Sequence, residues 1–356
     1  MSAPAAFETL DTPSVLIDLA RVEANLKRAQ AYADAHGLKL RPHIKTHKLT
    51  RLARRQVELG AIGITCQKLG EAEVMADAGI EDIFLPYNIL GTRKLARLKA
   101  LSERVRLSVT ADSETTVQGL AATFRDATRP LPVLVECDTG MGRCGVQNRG
   151  EALALAGAIA AAPGLTFGGL MTYPAAGKVE ANASWLAAAV GLLKREGLPP
   201  AVVSNGGTPD LWRAADVAVA TEHRPGTYIY LDRSQVVRGV GAWEDCALTM
   251  LATVVSRPTP DRAIIDAGSK SLTSDTLGLD GFGFVLEYPD AMIRSLSEEH
   301  GAIDLSACAR KPVIGERIRI VPNHACVVSN LFDEVALVGE GGSIEIVPVS
   351  ARGRVD

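Results

Sequence analysis

From about Leu38 onward, short β-branched runs alternate with longer segments rich in Ala, Leu, Glu and Arg, the pattern of parallel strands joined by crossover helices. The runs are Lys39–Ile44, Ala61–Thr65, Asp82–Pro86, Val105–Val109, Pro132–Cys137, Thr166–Met171, Ala201–Ser204 and Val217–Thr221, each followed by helical or turn sequence. Eight such β/α units over roughly two hundred residues predict a TIM-type (β/α)8 barrel, with an open doubly wound sheet as the alternative of the same period. The intervening helices have apolar stripes. In Leu49–Gly60, Leu52, Gln56 and Leu59 recur at three- and four-residue spacing, and Gly60 is a natural stop.

Past Trp243 the texture changes to β-rich runs such as Leu248–Ser256, Arg262–Asp266, Arg317–Val321 and Glu334–Val338, separated by Gly, Pro and Asp. This predicts a second, mostly β domain over 243–356, after a barrel over 21–242. The strand Ser14–Asp18 precedes the first barrel unit, so residues 1–20 are expected to join the β domain and bring the chain ends together.

At 356 residues and 47 % hydrophobic, the chain can bury one large barrel core and a smaller one. A net charge of -3 gives no basic field for gathering nucleic-acid phosphates. No cationic start leads into an apolar signal core, and no stretch offers eighteen uncharged apolar residues, so the cytoplasm is the expected location and no membrane partner is expected. Cys66, Cys137, Cys144, Cys246, Cys308 and Cys326 lie far apart, which suits reduced, mostly buried thiols rather than a disulfide framework.

In a β/α barrel the reactive residues follow the C-terminal ends of the strands. Here those positions are polar: His43-Ile44-Lys45-Thr46-His47-Lys48, Cys66-Gln67-Lys68, Tyr87-Asn88, Asp138 to Arg143, Thr172-Tyr173, Ser204 to Thr208, and Glu222 to Tyr228. A lysine leaving a strand into a partly closed barrel mouth loses solvation, which favours the nucleophilic amine. Lys45 meets that description; the competing reading is a surface lysine snorkelling its charge into water. Lys48 falls where the next helix begins and is expected to face away from the mouth.

Gly206-Gly207-Thr208 has the makings of a phosphate cradle, because glycines let backbone N–H groups approach and a helix start follows. A plain strand-to-helix turn would use the same residues. Gly140 to Gly145 is also glycine-rich, but no acidic ribose partner stands at the distance a dinucleotide fingerprint needs. His324-Ala325-Cys326 puts an imidazole and a thiol two residues apart, so on an extended segment both face one side and could hold a divalent metal. The alternative is a buried Cys beside a hydrogen-bonded His.

Arg41-Pro42-His43-Ile44-Lys45-Thr46-His47-Lys48, Asp138-Thr139-Gly140 leading into Gly142-Arg143-Cys144-Gly145, and Pro322-Asn323-His324-Ala325-Cys326 together resemble the D-threonine aldolase and D-serine dehydratase family. That family consists of fold-type III pyridoxal 5'-phosphate enzymes with an alanine racemase-like barrel, and the likeness runs from Thr12-Pro13 to Asn330-Leu331-Phe332-Asp333. The resemblance implies that Lys45 is the Schiff-base lysine and that His324 and Cys326 bind a divalent metal (Mn, Mg or Zn) close to the substrate. Under it, Gly206, Gly207 and Thr208 form the phosphate loop, Tyr228 adds a phosphate contact, and His43, Arg143 and Tyr173 lie against the cofactor. It also implies a D-amino acid substrate and a homodimer.

The sequence departs from the aldolase pattern after the sixth strand, where a Tyr-Gln-Gly-type run is replaced by Tyr173-Pro174-Ala175-Ala176-Gly177. His-x-Cys leans toward the dehydratase branch, since thiolate favours zinc. The Gly-Gly-Thr-Pro and Arg-Pro-Gly-Thr-Tyr segments lean toward D-threonine aldolase. The expectation is therefore D-threonine aldolase, with D-serine or D-3-hydroxyaspartate dehydratase as the alternative. A racemase would need no metal pair, and a non-catalytic cofactor carrier would need no β domain.

Overall fold

The computed structural model describes residues 5–356. Among them the chain divides into two compact units: a barrel unit of Arg28–Lys45, Leu49–Gly226 and Gly353–Asp356, and a β unit of the N-terminal residues through Lys27 with Thr46–Lys48 and Thr227–Arg352. The expected divide at 242/243 falls inside the β unit, whose chain already starts at Thr227.

The barrel unit is an all-parallel sheet of eight strands in the order Lys39–Leu40, Glu222–His223, Val202–Asn205, Leu165–Met171, Leu131–Glu136, Arg106–Ala111, Asp82–Leu85 and Ile64–Thr65. A parallel bridge between His43 and Thr65, with Thr65 N–H donating to Pro42 O at 2.7 Å, joins the first and last of these and closes the ring. With the ring closed the strands are flanked by neighbours on both edges, and most of their residues are buried, so the strands read largely as apolar runs. Inside the ring Phe84, Leu134 and Met171 pack together under Val202. At about 25 cal/mol per Å² of apolar area removed from water, each such side chain contributes about 2–3 kcal/mol. Ser113 and Asn148 cap their helices by accepting from Thr116 N–H and Glu151 N–H, fixing where the chain turns back after a strand.

Seven of the eight expected strands overlap the observed ones. The eighth does not: Val217–Thr221 is a turn, and the strand is Glu222–His223. Val217 and Val219 imitate a strand's alternation, but this stretch of the barrel interior is polar, so the residues facing it are polar too. Arg41 donates to Glu222 and to Asp82, while Glu222 accepts from Ser204 Oγ.

In the β unit Ser14–Asp18 pairs antiparallel with Leu248–Thr259, Leu16 opposite Thr249, and parallel with Glu334–Val338, Leu16 opposite Ala336. Leu16, Leu251 and Ala336 bury one face of that sheet against Phe7 and Leu10. Leu248–Thr259 pairs further with Arg262–Ile265 and Arg317–Val321, and Glu334–Val338 with Ile344–Pro348. The six cysteines are all free; Cys144 is exposed, Cys326 half-buried and the rest buried. No helix of the described residues is long and apolar enough to cross a membrane.

Candidate active site

Lys45 sits half-buried in a single 3-10 turn, Ile44–Thr46, directly after the closing bridge at His43. Its backbone N–H donates to His43 Nδ1 at 3.3 Å, which leaves Nε2 as the protonated nitrogen, donating to Gln67 Oε1 at 2.9 Å. His43 is therefore held as one neutral tautomer, and its ring fixes the turn that carries Lys45. Lys48 is different. It is buried in the β unit with φ +55°, and its Nζ donates to Asn330 Oδ1 at 2.8 Å.

At the end of Val202–Asn205 the chain turns sharply through Gly206 and Gly207 into the 3-10 helix Thr208–Asp216, with Pro209 in its first turn. Gly206 has φ +87°, and a Cβ there would stand 1.9 Å from the His223 ring. A Cβ on Gly207 would come within 2.7 Å of the Tyr173 ring. Both positions thus exclude any side chain, and the bare backbone at a helix start is what a phosphate needs. His223 Nε2 donates to Gly207 O at 3.0 Å and Gly226 N–H donates to Thr208 Oγ at 3.1 Å, so the loop is fastened from the next strand. Burial drives the His223 imidazole down to about 4, which keeps it neutral. The Arg143 guanidinium lies 5.1 Å from the Tyr173 ring centroid, making Arg143, Tyr173 and Gly207 one contiguous cluster.

Sequence reasoning passed over Arg224. It is fully buried, with Nη1 donating to Ser204 Oγ at 2.9 Å and Nη2 to Thr172 O at 2.8 Å, under the Phe84 ring. Burial brings its guanidinium down to about 10, opposed by Glu222 and Glu136. The available signal was its place immediately before Pro225-Gly226, directly after the short polar strand Glu222–His223.

In the β unit, His324 does not lie on an extended segment with Cys326. It is the N-terminal flanking residue of the helix Ala325–Leu331, and Cys326 is inside that helix. The helix begins there because the buried Asp232 carboxylate accepts from Ala325 N–H at 3.0 Å, an anchor far away in sequence. The turn still brings ring and sulfur together. Burial alone would lower the His324 imidazole, but hydrogen bonding to Cys326 and to Asp275 outweighs it and holds it up at about 9. Cys326 Sγ also lies 3.1 Å from Thr46 Oγ and 3.4 Å from Thr227 Oγ. Tyr228 belongs to this unit as well, buried in the turn Thr227–Ile229.

One imidazole and one thiol form a two-ligand donor set for a divalent metal. Among the described residues no group of three or more His, Cys, Asp or Glu is gathered for one. The pair fits an open site whose other positions go to water or substrate, and it does not fit a closed structural zinc site.

The alanine racemase N-terminal domain model matches residues 17–234, and the putative serine dehydratase domain model matches 247–338. A D-threonine aldolase from an Arthrobacter species is 36 % identical, with 97 % of this chain and 93 % of the relative covered. The crystal structure of a D-threonine aldolase from Filomicrobium marinum superposes with a TM-score of 0.91 at 33 % identity, covering 100 % of this chain and 98 % of the other. D-threo-3-hydroxyaspartate dehydratase from Delftia sp. HT23 superposes at 0.88 with 32 % identity, covering 96 % of this chain and 97 % of the other. A cysteine-to-alanine variant of that dehydratase has been solved in a metal-free form. The chain belongs to this family, the fold-type III pyridoxal-phosphate enzymes with an alanine racemase-like barrel followed by a serine dehydratase-type domain. It is a pyridoxal-phosphate-dependent lyase of the D-hydroxy-amino-acid group.

Proposed function

We propose that the protein is a D-threonine aldolase, splitting D-threonine into glycine and acetaldehyde with pyridoxal 5'-phosphate and a divalent metal. The observation that carries the lyase reading is the donor pair His324 and Cys326 in a chain that also holds the bare Gly206–Gly207 loop, and the 36 % identity to a D-threonine aldolase favours the aldolase within it. A racemase has use for the loop but none for the pair.

In this reading Lys45 supplies the amine that holds the cofactor's aldehyde carbon, on a turn that His43 keeps in one conformation. Gly206, Gly207 and Thr208 offer N–H groups to its phosphate, with Tyr228 as a further phosphate partner. Arg143 and Tyr173 line the ring. The cofactor supplies an electron sink for the bond broken at Cα, and the metal supplies a Lewis acid for the β-hydroxyl. His324 and Cys326 hold that metal, and the hydroxyl's proton must leave as Cα–Cβ opens. The assembly is a homodimer, which sedimentation checks.

Cys326 favours a second reading, a D-3-hydroxyaspartate or D-serine dehydratase, since a thiolate ligand favours zinc and the related dehydratase has a cysteine whose replacement was studied metal-free. One experiment separates the two. The protein is stripped with chelator, and Mn, Mg and Zn are added back singly. D-threonine, D-serine and D-3-hydroxyaspartate are then assayed for aldehyde, keto acid and ammonia. Glycine with acetaldehyde establishes the aldolase; keto acid with ammonia establishes the dehydratase. Full turnover after stripping, or in His324→Ala, overturns the metal role in either.

A further inference from the structure

We propose that Asp275 is the positioning residue for the metal ligand His324: its carboxylate accepts the hydrogen bond from Nδ1–H and so fixes Nε2 as the ligating nitrogen. The inference rests on the reading that His324 and Cys326 hold the metal.

Asp275 Oδ2 lies 2.8 Å from His324 Nδ1. The carboxylate accepts here, so the nitrogen facing it carries hydrogen, and when the ring gives up its other proton to a metal the lone pair is left on Nε2. Without that partner the imidazole is free to keep its proton on Nε2, where the metal must bind, or to turn so that the ring presents carbon there. A carboxylate behind a ligating histidine also raises the basicity of the ring toward the metal.

The carboxylate is itself held in place. Asp275 N–H donates to Thr273 Oγ at 3.2 Å, and Asp275 O accepts from Asn323 Nδ2 at 3.3 Å. Asn323, the residue before His324, also donates to Gly281 O at 2.8 Å and accepts from Gly283 N–H and Arg233 Nη1, both at 3.0 Å. One asparagine thus ties the loop bearing Asp275 to the backbone that bears His324, and the carboxylate–imidazole distance is set by that tie. The loop pays a conformational penalty to run this way, since Thr273 at φ +63° and Leu277 at φ +50° are left-handed non-glycine residues. Asp232, the other carboxylate near His324, is engaged differently: its oxygens accept from Ser234 Oγ, Gln235 N–H and Ala325 N–H and set the helix start, while the bond to Nδ1 is made by Asp275.

The test compares zinc and cobalt affinity, by competition with a chromophoric chelator, in the cofactor-loaded wild type, Asp275→Ala, Asp275→Asn and His324→Ala. Asp275→Ala is expected to bind metal about 10–100-fold more weakly, while its visible cofactor band keeps position and intensity. Asp275→Asn, whose amide oxygen still accepts from Nδ1, is expected to recover most of the loss, and the cobalt-substituted ligand-field spectrum is expected to stay close to wild type. Asp275→Ala binding as tightly as wild type while His324→Ala does not bind would overturn the positioning role. His324→Ala binding as tightly as wild type would instead sink the metal reading beneath it. Should Asp275→Ala fail to fold, Asp275→Asn decides through the cobalt spectrum: a ligand field and affinity identical to wild type with the imidazole turned over in its crystal structure would refute the proposal.

Discussion

Thr46 Oγ stands 3.1 Å from Cys326 Sγ, so the residue that follows Lys45 in the chain is a hydrogen-bonding partner of the sulfur in the proposed metal-binding pair. With Thr227 Oγ at 3.4 Å on the same sulfur, two hydroxyls are available to a thiolate there.

Removing one of them should be felt by the metal. Thr46→Val keeps the shape and loses the hydroxyl, a change worth about 1 kcal/mol for one hydrogen bond and so a few-fold in metal affinity. In the cobalt-substituted protein the sulfur-to-metal charge-transfer band is expected to move to lower energy, because an electron on a less stabilised thiolate is easier to promote. An unmoved band in Thr46→Val would show that the hydroxyl bonds elsewhere in the loaded protein.

Lys45, and not Lys48, should carry the cofactor. Lys48 Nζ is already bound to Asn330 Oδ1. The purified protein is expected to be yellow, borohydride to bleach it, and peptide mapping to find the label on Lys45. Lys45→Ala should lose the band, and a label on Lys48 would overturn the assignment.

Gly206→Ala should bind cofactor at least about ten-fold more weakly, because φ +87° costs a non-glycine residue about 1–2 kcal/mol and the new methyl overlaps the His223 ring. Equilibrium dialysis against pyridoxal phosphate reads the loss. Retention equal to wild type would mean that the loop does not hold the phosphate.

His223 gives the protein a pH dependence. Its folded value of about 4 lies below the ordinary 6.5, so between those values the unfolded chain holds a proton that the folded one lacks, and stability falls as pH drops. The contribution is complete above pH 6.5 and lost progressively toward pH 4. His223→Gln keeps a donor for Gly207 O without titrating, so its unfolding free energy should fall by about 2 kcal/mol less than wild type between pH 7 and 4.5. Parallel pH profiles would show that the ring reaches solvent.

The barrel was legible because its strands must be apolar where neighbours and helices cover them, and the positions after those strands carried Lys45, Tyr173 and Gly206 into view. Legibility failed where the barrel interior itself is charged. Glu222 and Arg224 face it, and a polar two-residue strand beside the more hydrophobic Val217–Thr221 has no local mark. It failed again at His324. Only Asp232, distant in sequence, decides that a helix starts at Ala325. Asp275 was invisible for the same reason, since its tie to Asn323 exists only once the loop has closed.

Ser14–Asp18 is made before the barrel residues from Arg28 to Gly226, and its two neighbours, Leu248–Thr259 and Glu334–Val338, are made after them. At about 5–20 residues per second, translation leaves that strand waiting roughly ten to fifty seconds on the ribosome. The residues of the barrel unit from Arg28 to Gly226 are complete before the first of those partners is made. The nascent chain therefore carries an apolar strand, Val15, Leu16 and Ile17 among its residues, with both edges open while the barrel is already able to close. Chaperone dependence during expression should track the length of that wait, so slow translation between Gly226 and Leu248 is the interval in which this protein is most exposed to aggregation.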